Sequence, residues 1–312
     1  MQALFEVIVP VFLLVGFGYL ATWRKWIGDD AIDGLMRFAQ SFAVPCLLFQ
    51  SIARLDLGAN FDPGLLVSFY AGALASFALG YAGARRIFGR NPVDAVAIGF
   101  VCLFSNTLLL GLPIMERAYG TDALSGNFAI ISIHAPVLYA IGVTAMELAR
   151  SRGTGLPARR LAGQIGGSLA RNPLVIGIAL GLVVNLARVP MPEPAMAAVG
   201  MMARAALPAA LFGLGGVLVR YRPEGDMKTI LMVCVLSLLV HPAITWGLGR
   251  HVFGLSIEQL RSAVVTASAA PGVNAFLFSS MYGAARRVAA SSVLIGTGLA
   301  MVTVWFWLSV LP

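Results

Sequence analysis

The chain has 312 residues, of which 59% are hydrophobic and only 12% charged, with a mean hydropathy of +0.85. So few polar side chains cannot cover a water-facing surface, which excludes a soluble globular domain and puts the chain in lipid. The formal charge of +8 comes with no basic, aromatic-interleaved element outside the apolar runs, so nucleic acid is excluded as a partner.

Apolar runs long enough to cross a hydrocarbon core of roughly 30 Å recur along the whole chain. The sequence predicts ten membrane segments, at 3–22, 34–53, 64–84, 94–115, 124–147, 172–188, 195–219, 228–249, 259–281 and 288–310. The first is expected to remain as a helix: it begins Met1-Gln2-Ala3, and the basic pair Arg24-Lys25 follows the apolar run instead of preceding it as in a signal peptide. Trp23 and Trp26 beside that pair, with Trp305 and Trp307 in the tenth segment, suit an interfacial belt. Cys46, Cys102 and Cys234 lie in apolar segments without metal-type spacing, so neither a disulfide framework, a metal nor a cofactor is expected. Between the fifth and sixth segments runs a basic linker, 150–171, whose part 158–170 reads either as a solvated connector or as a short amphipathic helix on the inner leaflet.

The two halves look like copies. Pro10 and Pro173, Pro45 and Pro208, and Tyr119-Gly120 and Tyr282-Gly283 all stand 163 residues apart, as do Gly18 and Gly181, and Phe49 and Phe212. The expected organisation is a first five-helix repeat at 1–149, the linker at 150–171, and a second repeat at 172–312. Fifteen Lys and Arg follow odd-numbered segments and five follow even-numbered ones, while Arg37 and Arg204 fall inside segments. That asymmetry makes the odd loops cytoplasmic and leaves both termini outside, in a cell (inner) membrane. With five segments per half the second copy enters from the opposite side, giving an inverted repeat, the build of secondary transporters with their site where the copies meet.

The chemistry concentrates in the fourth and ninth segments. The fourth carries Ser105, Asn106, Thr107, Gly111 and Pro113; the ninth carries Ser268, Pro271, Gly272 and Asn274. Each proline removes a backbone donor and frees the carbonyl four residues earlier, and each glycine weakens the helix, so both segments are expected to break at membrane depth. Such breaks present helix N-termini that attract anions, with the asparagine amides and the hydroxyls of Ser105, Thr107 and Ser268 as further donors. A small carboxylate is the expected guest. Arg204 reads either as an anion contact or as a snorkelling side chain, and His134 either as a proton-linked group or as a structural donor. Two other functions weigh against carriage of an anion. A cation/proton antiporter needs mid-membrane carboxylates, yet the aspartates fall in loops or at segment edges; an intramembrane protease lacks both an aspartyl pair and a nucleophile motif. A membrane sensor without transport leaves the duplicated breaks unexplained.

Asn106 to Pro113 and Pro271 to Asn274, with Asn172-Pro173 opening the sixth segment and Pro45 and Pro208 in the second and seventh, resemble the auxin efflux carrier family. That family includes PIN-type auxin carriers and bacterial carriers of malonate-like acids, and its fold is like that of bile-acid symporters and sodium/proton antiporters. The resemblance implies an all-α membrane fold of ten helices in two inverted five-helix repeats. It further implies a scaffold of helices 1, 2, 6 and 7 that pairs into a homodimer, and an elevator-like mobile unit of helices 3–5 and 8–10. The broken helices 4 and 9 would cross at the site. The linker is short, so regulation through a large cytoplasmic loop does not follow, and neither the acid nor the coupling ion, proton or sodium, is specified.

Overall fold

A computed structural model describes residues 4–54, 62–150 and 173–312. Among them the chain is helical, with one isolated antiparallel bridge and no strand. The helices are α1 (4–23), α2 (Asp29–Arg54), α3 (Pro63–Arg86), α4 (Pro92–Leu103), α5 (107–119), α6 (Ser125–Arg150), α7 (Pro173–Leu186), α8 (Glu193–Leu218), α9 (Met227–His251), α10 (Ile257–Ala267), α11 (Val273–Tyr282) and α12 (Arg286–Val310). Seven of these, α1, α2, α3, α6, α8, α9 and α12, are long and apolar enough to cross a membrane, and α4 and α7 are shorter apolar helices. The chain is a multi-pass membrane protein. The predicted linker beyond Arg150, its stretch 158–170 and Asn172 lie outside the described residues.

Helix starts follow local chemistry. Asp62 and Asn91 each precede a proline at the first helical position and accept from a backbone amide, Gly64 at 2.7 Å and Asp94 at 2.8 Å. Ser256 and Gln259 form a reciprocal capping box that opens α10. Both α5 and α11 stop at a Tyr-Gly pair, with Gly120 at φ 85° and Gly283 at φ 68°, a backbone region that favours glycine.

The prolines behave in a way the sequence did not suggest. Pro10, Pro45, Pro113 and Pro242 each follow a widened π turn, at Leu4–Ile8, Ala39–Ala43, Thr107–Gly111 and Leu236–Val240, that ends two residues earlier. A proline lacks the amide its helix needs and its ring crowds the preceding turn, and one extra residue in that turn relieves both without stopping the helix. Pro136 and Pro208 sit inside α6 and α8 with no such turn assigned.

The structure divides into two compact units, each drawing on both halves of the chain. Unit one holds the start of the chain to Val9, α3–α6 and α9–α12. Small residues let its helices approach closely: a Cβ on Gly72 would lie 2.7 Å from the Thr245 hydroxyl and 2.8 Å from the His241 carbonyl, and one on Gly99 would lie 2.9 Å from the Phe77 carbonyl. Phe100 and Phe278 stack with centroids 3.8 Å apart, against Gly142 of α6. The Trp307 indole donates to the Leu238 carbonyl at 2.9 Å, one of the carbonyls of the π turn in α9. Unit two holds α1 from Pro10, α2, α7 and α8. Here a Cβ on Gly18 would overlap the carbonyl oxygen of Phe212, and one on Gly181 would lie 2.9 Å from the carbonyl oxygen of Phe49. Asn185 closes the end of α2 by donating to the carbonyls of Ile52 and Ala53 at 3.0 and 3.2 Å. Arg220 gathers Asp29 and Asp33 at 3.4 and 2.8 Å.

Candidate functional site

Within unit one, two helices stop in mid-course. The first ends at Leu103 and resumes at Thr107; the second ends at Ala267 and resumes at Val273. The two gaps satisfy each other. Asn106 donates its backbone amide to the Ala270 carbonyl at 2.7 Å, Gly272 donates to Phe104 at 2.8 Å, and Ser105 faces Pro271 in an antiparallel bridge. Unwound backbone at membrane depth must find partners in protein, and here each break supplies them to the other. Pro271 has no amide to extend α10, and close packing fixes its ring: a Cβ on Gly296 of α12 would lie 2.8 Å from the Pro271 Cδ.

Ser105, Asn106 and Thr107 are all buried, as are Gly111, Ser268, Pro271 and Gly272. Asn106 opens α5 by accepting the Leu109 amide on its Oδ1 at 3.2 Å. Among the described residues its buried Nδ2 has no partner, and neither has the buried Ser105 hydroxyl. Ser268 turns its hydroxyl back to the Val265 carbonyl at 2.9 Å. Asn274 is exposed on the first turn of α11, whose N-terminus has no side-chain cap, and its carbonyl accepts from the Tyr139 hydroxyl at 3.2 Å. Among the described residues no Asp, Glu, Lys or Arg is buried, so the lining is neutral.

One expectation needs correction. Pro113 does not break its segment: the gap lies upstream at 104–106, and Pro113 sits in the continuous helix beyond it, accommodated by the π turn Thr107–Gly111 in which Gly111 donates to Asn106 at 2.9 Å. Asn106 marks where the helix resumes, its short side chain capping the Leu109 amide. Gly111 is not demanded by space either, since a Cβ there would meet nothing closer than 3.6 Å. Arg204 belongs to unit two, where it is exposed on α8 and shares the surroundings of Gly200 with Gln50.

The sequence reading passed over Asn127 of α6, whose Nδ2 donates to the Thr266 hydroxyl at 2.6 Å beside the second gap. Its spacing of seven from His134 puts both on one helix face, which is the signal that was there to be read. His134 approaches the Ser105 carbonyl through Nε2 at 3.2 Å and meets the Phe104 ring at 4.7 Å between centroids.

A multi-pass helical chain whose two interrupted helices satisfy each other, leaving amide and hydroxyl groups unpaired in the interior, has the layout of a membrane transport protein. The family comparison agrees: residues 3–308 match the family described as "Membrane transport protein", and the chain belongs to it. It is 23% identical to an uncharacterized transporter, YfdV, of Escherichia coli (strain K12), over 97% of this chain and 96% of that protein. It is also 23% identical to a putative malonate transporter of Rhizobium meliloti (strain 1021), over 95% and 92% of the two chains. The same identity links it to the probable auxin efflux carrier component 5b of Oryza sativa subsp. japonica, over 92% and 91%. The resemblance to auxin efflux carriers read from the sequence is borne out.

Proposed function

We propose that this chain is a secondary active transporter of a small organic anion, working by alternating access, with the carboxylate received at the paired breaks of unit one. The observation that carries this is the pair of buried, unpartnered donors, Ser105 Oγ and Asn106 Nδ2, held where the two gaps meet. A hydrogen bond from such a donor to an ionised group contributes roughly 1.5–3 kcal/mol. The uncapped N-terminus of α11 and the exposed Asn274 add a positive dipole end and a further amide. Malonate and auxin, the cargoes in two relatives' names, are both carboxylic acids. A cation/proton antiporter is the weaker reading, because no carboxylate among the described residues is buried to bind the cation.

On this reading the ten predicted segments form two inverted repeats, α4–α5 and α10–α11 being the broken fourth and ninth. Two features support the repeat: the equivalent close approaches of Gly18 to Phe212 and Gly181 to Phe49, and the Tyr-Gly ends of α5 and α11. Unit two is then the scaffold and dimer-forming part, unit one the moving part, with odd loops cytoplasmic and both termini outside the inner membrane. For Arg204, exposed on α8 of unit two, the test is Arg204→Gln: a larger loss for a dicarboxylate than for a monocarboxylate would mark an anion contact, and equal losses a structural arginine. The decisive test is flux into proteoliposomes of malonate, succinate, lactate and indole-3-acetate, with and without proton or sodium gradients. Saturable flux of one acid, lost in Asn106→Ala, supports the reading; flux of none, with proton-linked sodium movement instead, overturns it.

A further inference from the structure

Alongside the paired breaks, unit one contains two buried histidines that the neutral-donor picture leaves unused. His134 of α6 and His241 of α9 pack against Phe69 of α3 from centroid distances of 5.6 and 5.0 Å, and each directs Nε2 to a backbone carbonyl, Ser105 and Phe69 respectively, at 3.2 Å. A carbonyl oxygen only accepts, so Nε2 carries the hydrogen in both rings and Nδ1 of the neutral ring is left as an acceptor. In both residues Nδ1 is buried and has no donor among the described residues. The two differ in one respect. The carbonyl that His134 holds is that of Ser105, the residue whose unpartnered hydroxyl lies at the break, whereas His241 holds a carbonyl inside an unbroken helix.

We infer that His134 is the proton-carrying residue of the transport cycle: it takes a proton on Nδ1 together with the anion bound at the breaks, and gives it up with the anion on the other side. This rests on the carboxylate reading above and names its coupling ion. The reasoning is electrostatic. An anion alone in a neutral, water-poor lining has left its hydration without a compensating charge, which is expensive at membrane depth. A proton accepted one residue's backbone away, on the free lone pair of Nδ1, supplies that charge. Nε2 keeps its bond to Ser105 throughout, so loading the proton requires no rearrangement of the break. The titratable groups facing His134 are Tyr70 of α3, at 6.2 Å between ring centroids, Tyr139 on its own helix and His241 of α9 beyond Phe69. The phenols stay neutral near pH 7, and His241, beyond Phe69, holds the Phe69 carbonyl instead of one at the break. No carboxylate or guanidinium is buried among the described residues to take the role instead.

The test uses the full chain and a monocarboxylate that stays ionised over about pH 6 to 8, lactate or indole-3-acetate. Calorimetric titration in two buffers of different ionisation heat counts protons taken up on binding. The wild type should take up about one proton per bound acid, with affinity rising up to about tenfold per unit fall in pH, and an inward proton gradient should drive uphill accumulation. His134→Gln keeps a donor for the Ser105 carbonyl but cannot titrate. It should bind with no proton uptake and a flat pH dependence, and exchange the acid without accumulating it. His241→Gln should leave the proton count at about one. Zero proton uptake in the wild type, an unchanged count in His134→Gln, or loss of the count in His241→Gln overturns the inference while leaving carboxylate transport standing. Binding of neither acid nor of malonate overturns both. If His134→Gln fails to fold, zero proton uptake in the wild type still overturns the inference.

Discussion

Asn106 does two things with one side chain, and the two can be separated. Its Oδ1 caps the Leu109 amide, and its buried Nδ2 has no partner. Asn106→Ala removes both. Loss of the cap should cost about 1 kcal/mol, which lowers the melting temperature by roughly 2 °C for a chain of this size. Asn106→Ser keeps a capping oxygen and removes only the amide donor, so its melting temperature should equal the wild type's within about 1 °C. If the Nδ2 group meets a carboxylate, both variants lose a bond to a charged group, roughly 1.5–3 kcal/mol, which is about a 10- to 150-fold rise in Kd for the transported acid. Detergent melts without ligand and equilibrium binding with it measure the two effects independently. A serine variant that binds as tightly as the wild type would refute the assignment of Nδ2 to the substrate. One that melts as low as the alanine variant would refute the division of labour.

Gly142→Ala in α6 would push a methyl into the Phe100 ring and to 3.1 Å from Phe278, so the stacked pair must shift; about 1–3 kcal/mol should be lost in detergent melts. Gly18→Ala sets a methyl against the backbone carbonyl of Phe212, which cannot swing aside, and should lower the melting temperature by several degrees, whereas Gly16→Ala, with open space around it, should leave it unchanged or slightly raised. The Asp226 carboxyl, outside the membrane segments, is held below its ordinary range by the Thr229 hydroxyl, the Lys228 amide and Arg90. Its contribution is therefore present above about pH 4 and lost as pH falls through the lowered value, so the gap in melting temperature between wild type and Asp226→Asn should close on acidification. A gap that persists or widens at low pH would show that the carboxylate is not what Arg90 and Thr229 stabilise.

The sequence made the membrane segments legible because hydropathy over twenty residues is a sum, insensitive to any one partner. It also located the second gap, since Pro271-Gly272 combines a missing donor with a weak helix former. The first gap opens upstream of Pro113, which a π turn accommodates, and Asn106 caps the helix where it resumes. The π turns before Pro10, Pro45 and Pro242 follow no residue pattern that hydropathy registers. The bonds from His134 to Ser105 and from Asn127 to Thr266 span 29 and 139 residues. Which distant polar group a buried one meets is decided by helix packing, and a single sequence does not encode it in any local spacing.

That the lining at the breaks is neutral has a consequence for the cycle proposed here. A carrier must return empty, and a fixed arginine or lysine at the site would have to make that return as an uncompensated charge, at a cost well beyond that of any hydrogen-bonding group. An unpaired amide or hydroxyl costs only about 1–3 kcal/mol while the site is vacant, and water in an open vestibule removes most of that. The Ser105 and Asn106 donors thus recognise an anion without trapping the empty carrier on one side. What neutral donors cannot supply is a countercharge while the anion is occluded. A group that is neutral when empty and charged when loaded meets both requirements, and among the described residues bonded to the breaks His134 is the one with a ring nitrogen, Nδ1, free to accept a proton.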